Sequence, residues 1–402
     1  MNFDIAIIGA GPAGLSLACS LGETGLNVVV IEKQSSDVLE RPENDGRDIA
    51  LTHQSYEMLN KMGIWQRISE HHISPLEGAE VIDGDSAYKL SFKVPANEGP
   101  LGFLISNHYI RQAIYQQFKT LTNVTLMDET EVLSVSTDGE GGTIQLTNGK
   151  AVKAELIVAA DTRFSLSRQQ MGIATDMHDF GRSAIVCKIE HELSHQNIAL
   201  ECFHYEQTMA ILPMPGNTAS IVITLPTSRV KDVLAMTEDV FNEDIEQRLK
   251  SKLGKMKQVG ERFSYPLVAV HANCFVKERF ALIGDAAVGM HPVTAHGFNL
   301  GLSGQAILAG EIEQAMNKNK PFYSQGVLQR YQRKHMLMSK PLYHGTNLVV
   351  GLFTNDDLPA KLIRKAVLRI SNNIPFIKWG IKHKLMAKKP IQSILPSLPT
   401  IF

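Results

Sequence analysis

The stretch Gly9-Ala10-Gly11-Pro12-Ala13-Gly14 restricts the fold of this chain more than any other. An apolar run over residues 3–8 precedes it, a helical pattern over residues 15–24 follows, and a second apolar run fills residues 28–32. That order predicts a strand, a Gly-rich turn, a helix and a second strand. Glycines in such a turn allow its tight course and let backbone approach a pyrophosphate, which rests on the N–H groups at the helix start. Glu32 ends the second run, 18 residues past Gly14, where a carboxylate can accept from an adenosine ribose hydroxyl. The same charge would repel a 2′-phosphate and argues against NADP at this site. NAD and FAD both stay open on these residues.

The chain's 402 residues are two to three times the ~150 of a typical domain, enough to bury large cores without disulfides or a structural metal. Cys19, Cys187, Cys202 and Cys274 are scattered, with no Cys-x-x-Cys pair, which disfavours zinc ribbons and dithiol redox centres. Asp4 stands where a secretory signal would be basic, and no apolar run approaches the ~18 residues of a membrane span. A cytoplasmic protein is expected. Periodicity predicts helices over residues 53–62, 107–121, 164–171 and 238–252, with a strand-rich stretch over 78–104. Alternation predicts strands over 184–189, 199–205, 209–212 and 220–225, with Pro213, Pro215, Gly216 and Asn217 in a turn. A buried strand is expected over 279–283, then helices broken at Pro341, Pro359 and Pro375. The whole reads as an α/β nucleotide-binding domain (residues 1–77, 103–180 and 274–357) interrupted by a mostly antiparallel β-sheet domain (78–102 and 181–273), before a basic helical segment, 358–402.

A second segment, Leu282-Ile283-Gly284-Asp285-Ala286-Ala287, leads into His291-Pro292-Val293-Thr294-Ala295-His296-Gly297-Phe298-Asn299-Leu300-Gly301. It resembles the second FAD fingerprint of the para-hydroxybenzoate-hydroxylase-type (class A) flavin monooxygenases. The resemblance implies a Rossmann-like FAD-binding domain with a β-sheet substrate domain, and bound FAD. Its cofactor-binding residues would be Gly9, Gly11, Pro12, Ala13, Gly14, Glu32, Lys33, Gly284, Asp285, Gly297, Phe298 and Asn299. Asp285 would hold the ribityl chain. The helix opened by residues 297–299 would aim its N-terminus at the flavin ring, suiting the negative charge of reduced flavin.

Residues 157–165, Ile-Val-Ala-Ala-Asp-Thr-Arg-Phe-Ser, are similar to the family's Asp-Gly motif, which serves FAD and NAD(P)H. Asp161, Ser165 and Arg168 fit it, while Thr162 stands in the place of its Gly. Arg47 resembles the family's FAD-contacting arginine, and Asn107 takes the position of a polar residue reaching the ribityl or pyrophosphate region. Either can instead be a surface residue, and Asn107 a helix cap. His291, Pro292 and His296 are the candidate catalytic residues, the imidazoles being proton carriers or hydrogen-bonded loop groups.

Residues 352–356, with Leu368, Pro375 and Lys378, are similar to the C-terminal region of the ubiquinone-biosynthesis flavin hydroxylases, and the run over 297–302 favours the same branch. The resemblance spans essentially the whole chain. It implies hydroxylation of a polyprenylated phenol, with O2 and NAD(P)H consumed and oxygen delivered from a flavin C4a-hydroperoxide. His296 stands where Gln is common, and Ser303-Gly304 replaces a frequent Arg-Asp. The ring position attacked is therefore not fixed by the sequence. A same-fold hydroxylase of a soluble phenol and a non-catalytic prenyl-binding adaptor are the alternatives. A single G-x-G-x-x-G disfavours two-nucleotide-domain reductases, and the only tryptophans, Trp65 and Trp379, cannot form a halogenase Trp-x-Trp.

Two further features bear on partners. His191-Glu192-Leu193-Ser194-His195 spells H-E-x-x-H, but it falls between alternating runs rather than on a helix, so no metal is expected. Residues 358–402 carry nine Lys and Arg and no acid, whereas the preceding part has 31 basic and 41 acidic residues. A basic, partly amphipathic tail on an acidic body suits a membrane surface or an acidic partner, such as another protein of ubiquinone synthesis, and no motif supports nucleic acid.

Overall fold

The computed structural model describes residues 1–83, 89–93, 99–204, 207–291 and 296–354. Its architecture is mixed α/β, built on two large sheets and a small one. In the first sheet the neighbours run Val276–Lys277, Phe280–Leu282, Ala151–Ala159, Asn2–Ile8, Val28–Ile31, Val124–Met127. The inner strands are parallel and continuously apolar; Ile5, Ala6, Ile7, Val28, Val29 and Val30 are fully buried, as expected of a sheet covered on both faces. Register matters most for the site. Ile8 lies opposite both Ile31 and Ala159, and Ala159 opposite Leu282. The C-terminal ends of four strands therefore coincide, and Gly9, Glu32, Ala160 and Ile283 all leave the sheet at one edge. Open α/β sheets bind ligands at such an edge.

The second sheet is mostly antiparallel, in the order Val288–Gly289, Met256–Ala272, Thr175–His191, Thr218–Pro226, Gln207–Met214, Ile198–His204, Gly78–Asp83, Lys89–Lys93. One face buries Ile185, Cys187, Leu200, Ile211 and Ile221 against Phe241 and Ile245 of helix Glu238–Arg248. The other carries Ala184 and Val186, then Leu90, Phe92 and Phe203. A three-stranded sheet, Asp48–Leu51, Gly102–Ser106 and Ser74–Leu76, stands beside that second face. There Lys188 donates to Ser106 Oγ at 2.8 Å.

Several expectations are corrected. Helix Gln325–Thr354 runs through Pro341. The carbonyl that loses its donor belongs to Leu337, which is 70 % exposed, and buried Tyr331, Ser339 and Tyr343 hold the helix on both sides. Pro359 and Pro375 lie outside the described residues. Pro213 belongs to strand Gln207–Met214, and only residues 215–217 turn. Pro213 pairs with Ala219 of Thr218–Pro226 but sits beyond the last bridge to Ile198–His204, Leu200 with Ile211, so on that side its missing N–H has no ladder partner to lose. Helix Glu238–Arg248 ends short of residue 252 because Lys250 and Ser251 adopt φ of 51° and 55°. The first helix is Pro12–Ser20, beginning inside the Gly-rich turn.

Candidate active site

The Gly-rich turn is shaped by contacts that only glycine tolerates. Gly9 has φ +104°, and a Cβ there would lie 2.7 Å from the Ala160 carbonyl oxygen. A Cβ on Gly14 would lie 2.0 Å from the Gly9 oxygen. Gly11 differs, since a Cβ there would meet nothing within 4 Å. It is the N-cap of helix Pro12–Ser20 and supplies no side-chain cap, so the first-turn N–H groups face the open side. Glu32 is pinned beside the turn, its carboxylate accepting from Ala10 N at 2.7 Å and Gln34 N at 3.0 Å. Lys33 is exposed. A shallow pocket here is lined by Ala10, Pro12, Leu15, Leu39, Arg111 and Ile114. Arg111 escaped the sequence reading. Only the packing of helix Asn107–Phe118 on the first helix brings it to the turn.

The second segment touches the first. Gly284 has φ +58°, and a Cβ on it would lie 2.7 Å from the Ala13 Cβ. Asp285 accepts from Arg163 Nη2 at 3.2 Å, with its side chain 44 % exposed. Arg168 is buried and donates to the carbonyls of Ala286 (2.8 Å) and Arg163 (3.0 Å), tying the two segments together. Ser165 caps helix Leu166–Gln170 by accepting from Arg168 N. Those two residues hold the fold. Asp161 is different, because its buried Oδ1 has no hydrogen-bond partner among the described residues.

Arg47 and Asn107 converge on Asp45, at 2.6 Å and 2.8 Å, and the guanidinium lies 5.5 Å from the centre of the Tyr265 ring on the second sheet. Asn107 is the first residue of its helix, with Ser106 at the N-cap, so it does not cap. His291 is buried with its ring 4.8 Å from Phe180. Burial, reinforced by Arg182, pushes its pKa down to about 4, so the ring is neutral at physiological pH. Pro292 lies outside the described residues. Helix His296–Met316 begins at His296; a Cβ on Gly297 would meet nothing within 4 Å, and Phe298 packs on the main core. Asn299 spends its amide inside the protein, accepting from Ser55 Oγ (2.6 Å) and Thr52 N (3.1 Å) and donating to Ala50 O (2.8 Å).

Residues 2–340 match the family model described as FAD binding domain. The chain is 46 % identical to the ubiquinone hydroxylase UbiM of Neisseria meningitidis, over 96 % of this chain and 85 % of that protein. This chain belongs to the FAD-dependent monooxygenases. Another relative of the monooxygenase, ubiquinone hydroxylase UbiL of Rhodospirillum rubrum, is 35 % identical over 90 % of this chain and 84 % of its own. In fold it resembles p-nitrophenol 4-monooxygenase PnpA of Pseudomonas putida, with a TM-score of 0.75 and 18 % identity over 97 % and 100 % of the two chains.

The residues present fit FAD on three observations. Gly11 leaves an open approach to an uncapped helix start. Asp161 keeps a buried acceptor without a donor among the described residues, and Asp285 is half-exposed at the same sheet edge. The H-E-x-x-H letters, by contrast, span a strand end and a turn, since His191 closes strand Thr175–His191 and His195 contacts the Met214 carbonyl at 2.9 Å. No helix carries them; the two rings meet edge to face at 5.2 Å, and no third His, Cys, Asp or Glu among the described residues joins them in a metal-ligating group.

Proposed function

We propose that this monooxygenase hydroxylates the aromatic ring of a polyprenylated phenol on the route to ubiquinone. The identity with a ubiquinone hydroxylase across nearly the whole chain carries this reading. FAD, when bound, supplies the activation of O2 and takes its electrons from NAD(P)H. The chain's own residues bind and shield. Gly9, Gly11, Pro12, Ala13 and Gly14 offer the pyrophosphate a helix start, with Arg111 as its cation. Glu32 takes the adenosine ribose, with Lys33 beside it. Asp285 takes the ribityl chain, Asp161 offers its free oxygen to the same region, and Arg47 and Asn107 close the rim from Asp45. The N-terminus of helix His296–Met316, at His296 and Gly297, places its dipole toward the ring, Phe298 and Asn299 fixing that helix in the core. His291, kept neutral by burial, excludes water together with Phe180.

The work divides along the sheets. Residues 1–77, 103–180 and 274–357 supply most of the FAD unit and residues 78–102 and 181–273 most of the wall against which the phenol lies, with strands Thr175–His191 and Val288–Gly289 of the second sheet crossing that division. The basic segment 358–402 brings the protein to an anionic membrane surface or to an acidic partner in the same synthesis. No helix among the described residues is long and apolar enough to cross a membrane, and contact at the surface suffices for a lipid-borne substrate.

The purified protein should be yellow, and its NAD(P)H oxidation and O2 uptake should rise on adding a prenylated phenol. Deleting its gene should make quinone-lipid profiles show one unhydroxylated precursor in place of ubiquinone. An unchanged quinone profile, with no response to any phenol, would overturn the assignment.

A further inference from the structure

Strand register fixes which side chains share the inner face of the second sheet. Glu201 lies opposite Val81 on one side and Ala210 on the other. Ala210 is opposite Val222, and Val222 opposite Val186. Directly opposed residues point to the same face, so Glu201 belongs to the face of Val186. Phe203, two residues along, shares it, and Leu90 and Phe92 join through Val81 and Ala79. Phe180 packs on Ala184 and Val186 and also touches the ring of His291. This face is therefore the wall that runs away from the second glycine segment, toward Glu201. The opposite face is closed by helix Glu238–Arg248.

A carboxyl in that apolar wall needs an explanation. Glu80 on the other face has one, since Lys252 pairs with it at 3.1 Å. Glu201 has no hydrogen bond or ion pair among the described residues; protein crowds its carboxyl, while the residue as a whole keeps some accessible surface, so space adjoins it. An isolated carboxyl away from water is costly unless a donor meets it. A phenol hydroxyl is such a donor.

We propose that Glu201 is the residue that receives the hydroxyl of the phenolic substrate and takes its proton. The inference rests on the hydroxylase reading and adds the polar anchor which that reading lacks. The phenol O–H bond breaks and a carboxyl O–H bond forms. No electron moves in that step, and the ring gains the electron density that its attack on oxygen requires. Burial pushes the Glu201 pKa up to about 8, within about 2 units of a phenol near 10, so the proton passes between closely matched groups. From Lys89–Lys93 and Gln207–Met214 no charged side chain among the described residues faces it, and in Gly78–Asp83 the register places one acid on that face, Asp83, opposite Phe203. Lys188, three strands away on the same face, is held by Ser106 and Asp48.

The test uses the full chain loaded with FAD, and 2-geranylphenol with its methyl ether as probes. Wild-type turnover of the phenol should rise with pH through about 8, as the Glu201 carboxylate that takes the proton forms. Glu201→Gln should keep its flavin and bind the ether as wild type does. It should lose that rise with pH and at least about 100-fold in turnover at pH 7.5. Glu201→Asp should retain the rise. A Glu201→Gln protein with wild-type turnover and pH profile overturns the inference while leaving the hydroxylase reading intact. So does a flavin-loaded Glu201→Asp protein whose turnover shows no rise with pH. Wild type that neither binds nor oxygenates any phenol overturns both.

Discussion

At Gly14 a single methyl group decides whether the turn can close, because a Cβ there would meet the Gly9 carbonyl at 2.0 Å. Gly11 carries no such restriction, and its missing side chain matters only to whatever approaches the helix start. The two glycines therefore predict different phenotypes. Gly14→Ala should lower Tm by roughly 3–10 °C and lose flavin, whereas Gly11→Ala should keep the wild-type Tm and still lose flavin. Thermal melts with flavin-to-protein absorbance ratios separate the cases, and equal melting losses would contradict the geometry. Asp285→Ala makes a third test. Its pairing with Arg163 is half-exposed and contributes little to stability, but a charge-assisted hydrogen bond to a ribityl hydroxyl would contribute ~1.5–3 kcal/mol. FAD affinity should fall about 10- to 150-fold in a folded protein. Full affinity by titration would remove Asp285 from the site. These residues were legible in the sequence because their chemistry is local. Arg111 and Glu201 were not, since one needs the packing of two helices and the other the register of a sheet.

Helix Gln325–Thr354 shows how an element can be held by groups that titrate. His335 is buried against Tyr331 and Phe275, with no hydrogen-bond partner for Nδ1 among the described residues. His271, on strand Met256–Ala272, reaches Ser339 Oγ of the same helix at 3.1 Å. Burial lowers both pKa values, that of His335 to about 3. Unfolded His335 takes up a proton near pH 6.5 and the folded form does not, so stability falls as pH drops from about 6.5 toward 3. His335→Phe keeps an aromatic ring and removes the titration. Its Tm should fall less than that of wild type between pH 7 and pH 5, and parallel losses in scanning calorimetry would contradict the assignment. The same strand explains one limit of the sequence reading. Met256–Ala272 pairs with Thr175–His191 along 17 residues each, but Asp176, Met177, His178 and Asp179 are exposed and show no apolar alternation. A sheet extended into solvent leaves no period to read.

Across the whole molecule the charge is divided more sharply than the tail alone suggests. Residues 314–402 hold fifteen Lys and Arg against two Asp, while the first 313 residues hold 25 basic and 39 acidic. Helix Gln325–Thr354 has no acid, and it exposes Leu337 and Leu348 at 70 % and 75 %. Lys334 is paired with Glu311, but exposed Leu337 with Arg333 and Lys340 one turn to either side matches the composition of a surface that meets anionic lipid. The segment after it continues the pattern, with Ile377, Ile381 and Leu385 spaced by four among Lys378, Lys382, Lys388 and Lys389; that segment lies outside the described residues. Each basic residue near an anionic membrane contributes ~1 kcal/mol, and charge reversal turns attraction into repulsion. Replacing Lys382, Lys388 and Lys389 by Glu should leave flavin content and NAD(P)H oxidation at wild-type levels. Sedimentation with vesicles of anionic phospholipid should fall at least tenfold, and so should turnover of a long-chain phenol presented in those vesicles, while a short-chain phenol in solution is hydroxylated as before. Unchanged vesicle binding with unchanged long-chain turnover would assign the lysines to solvation alone.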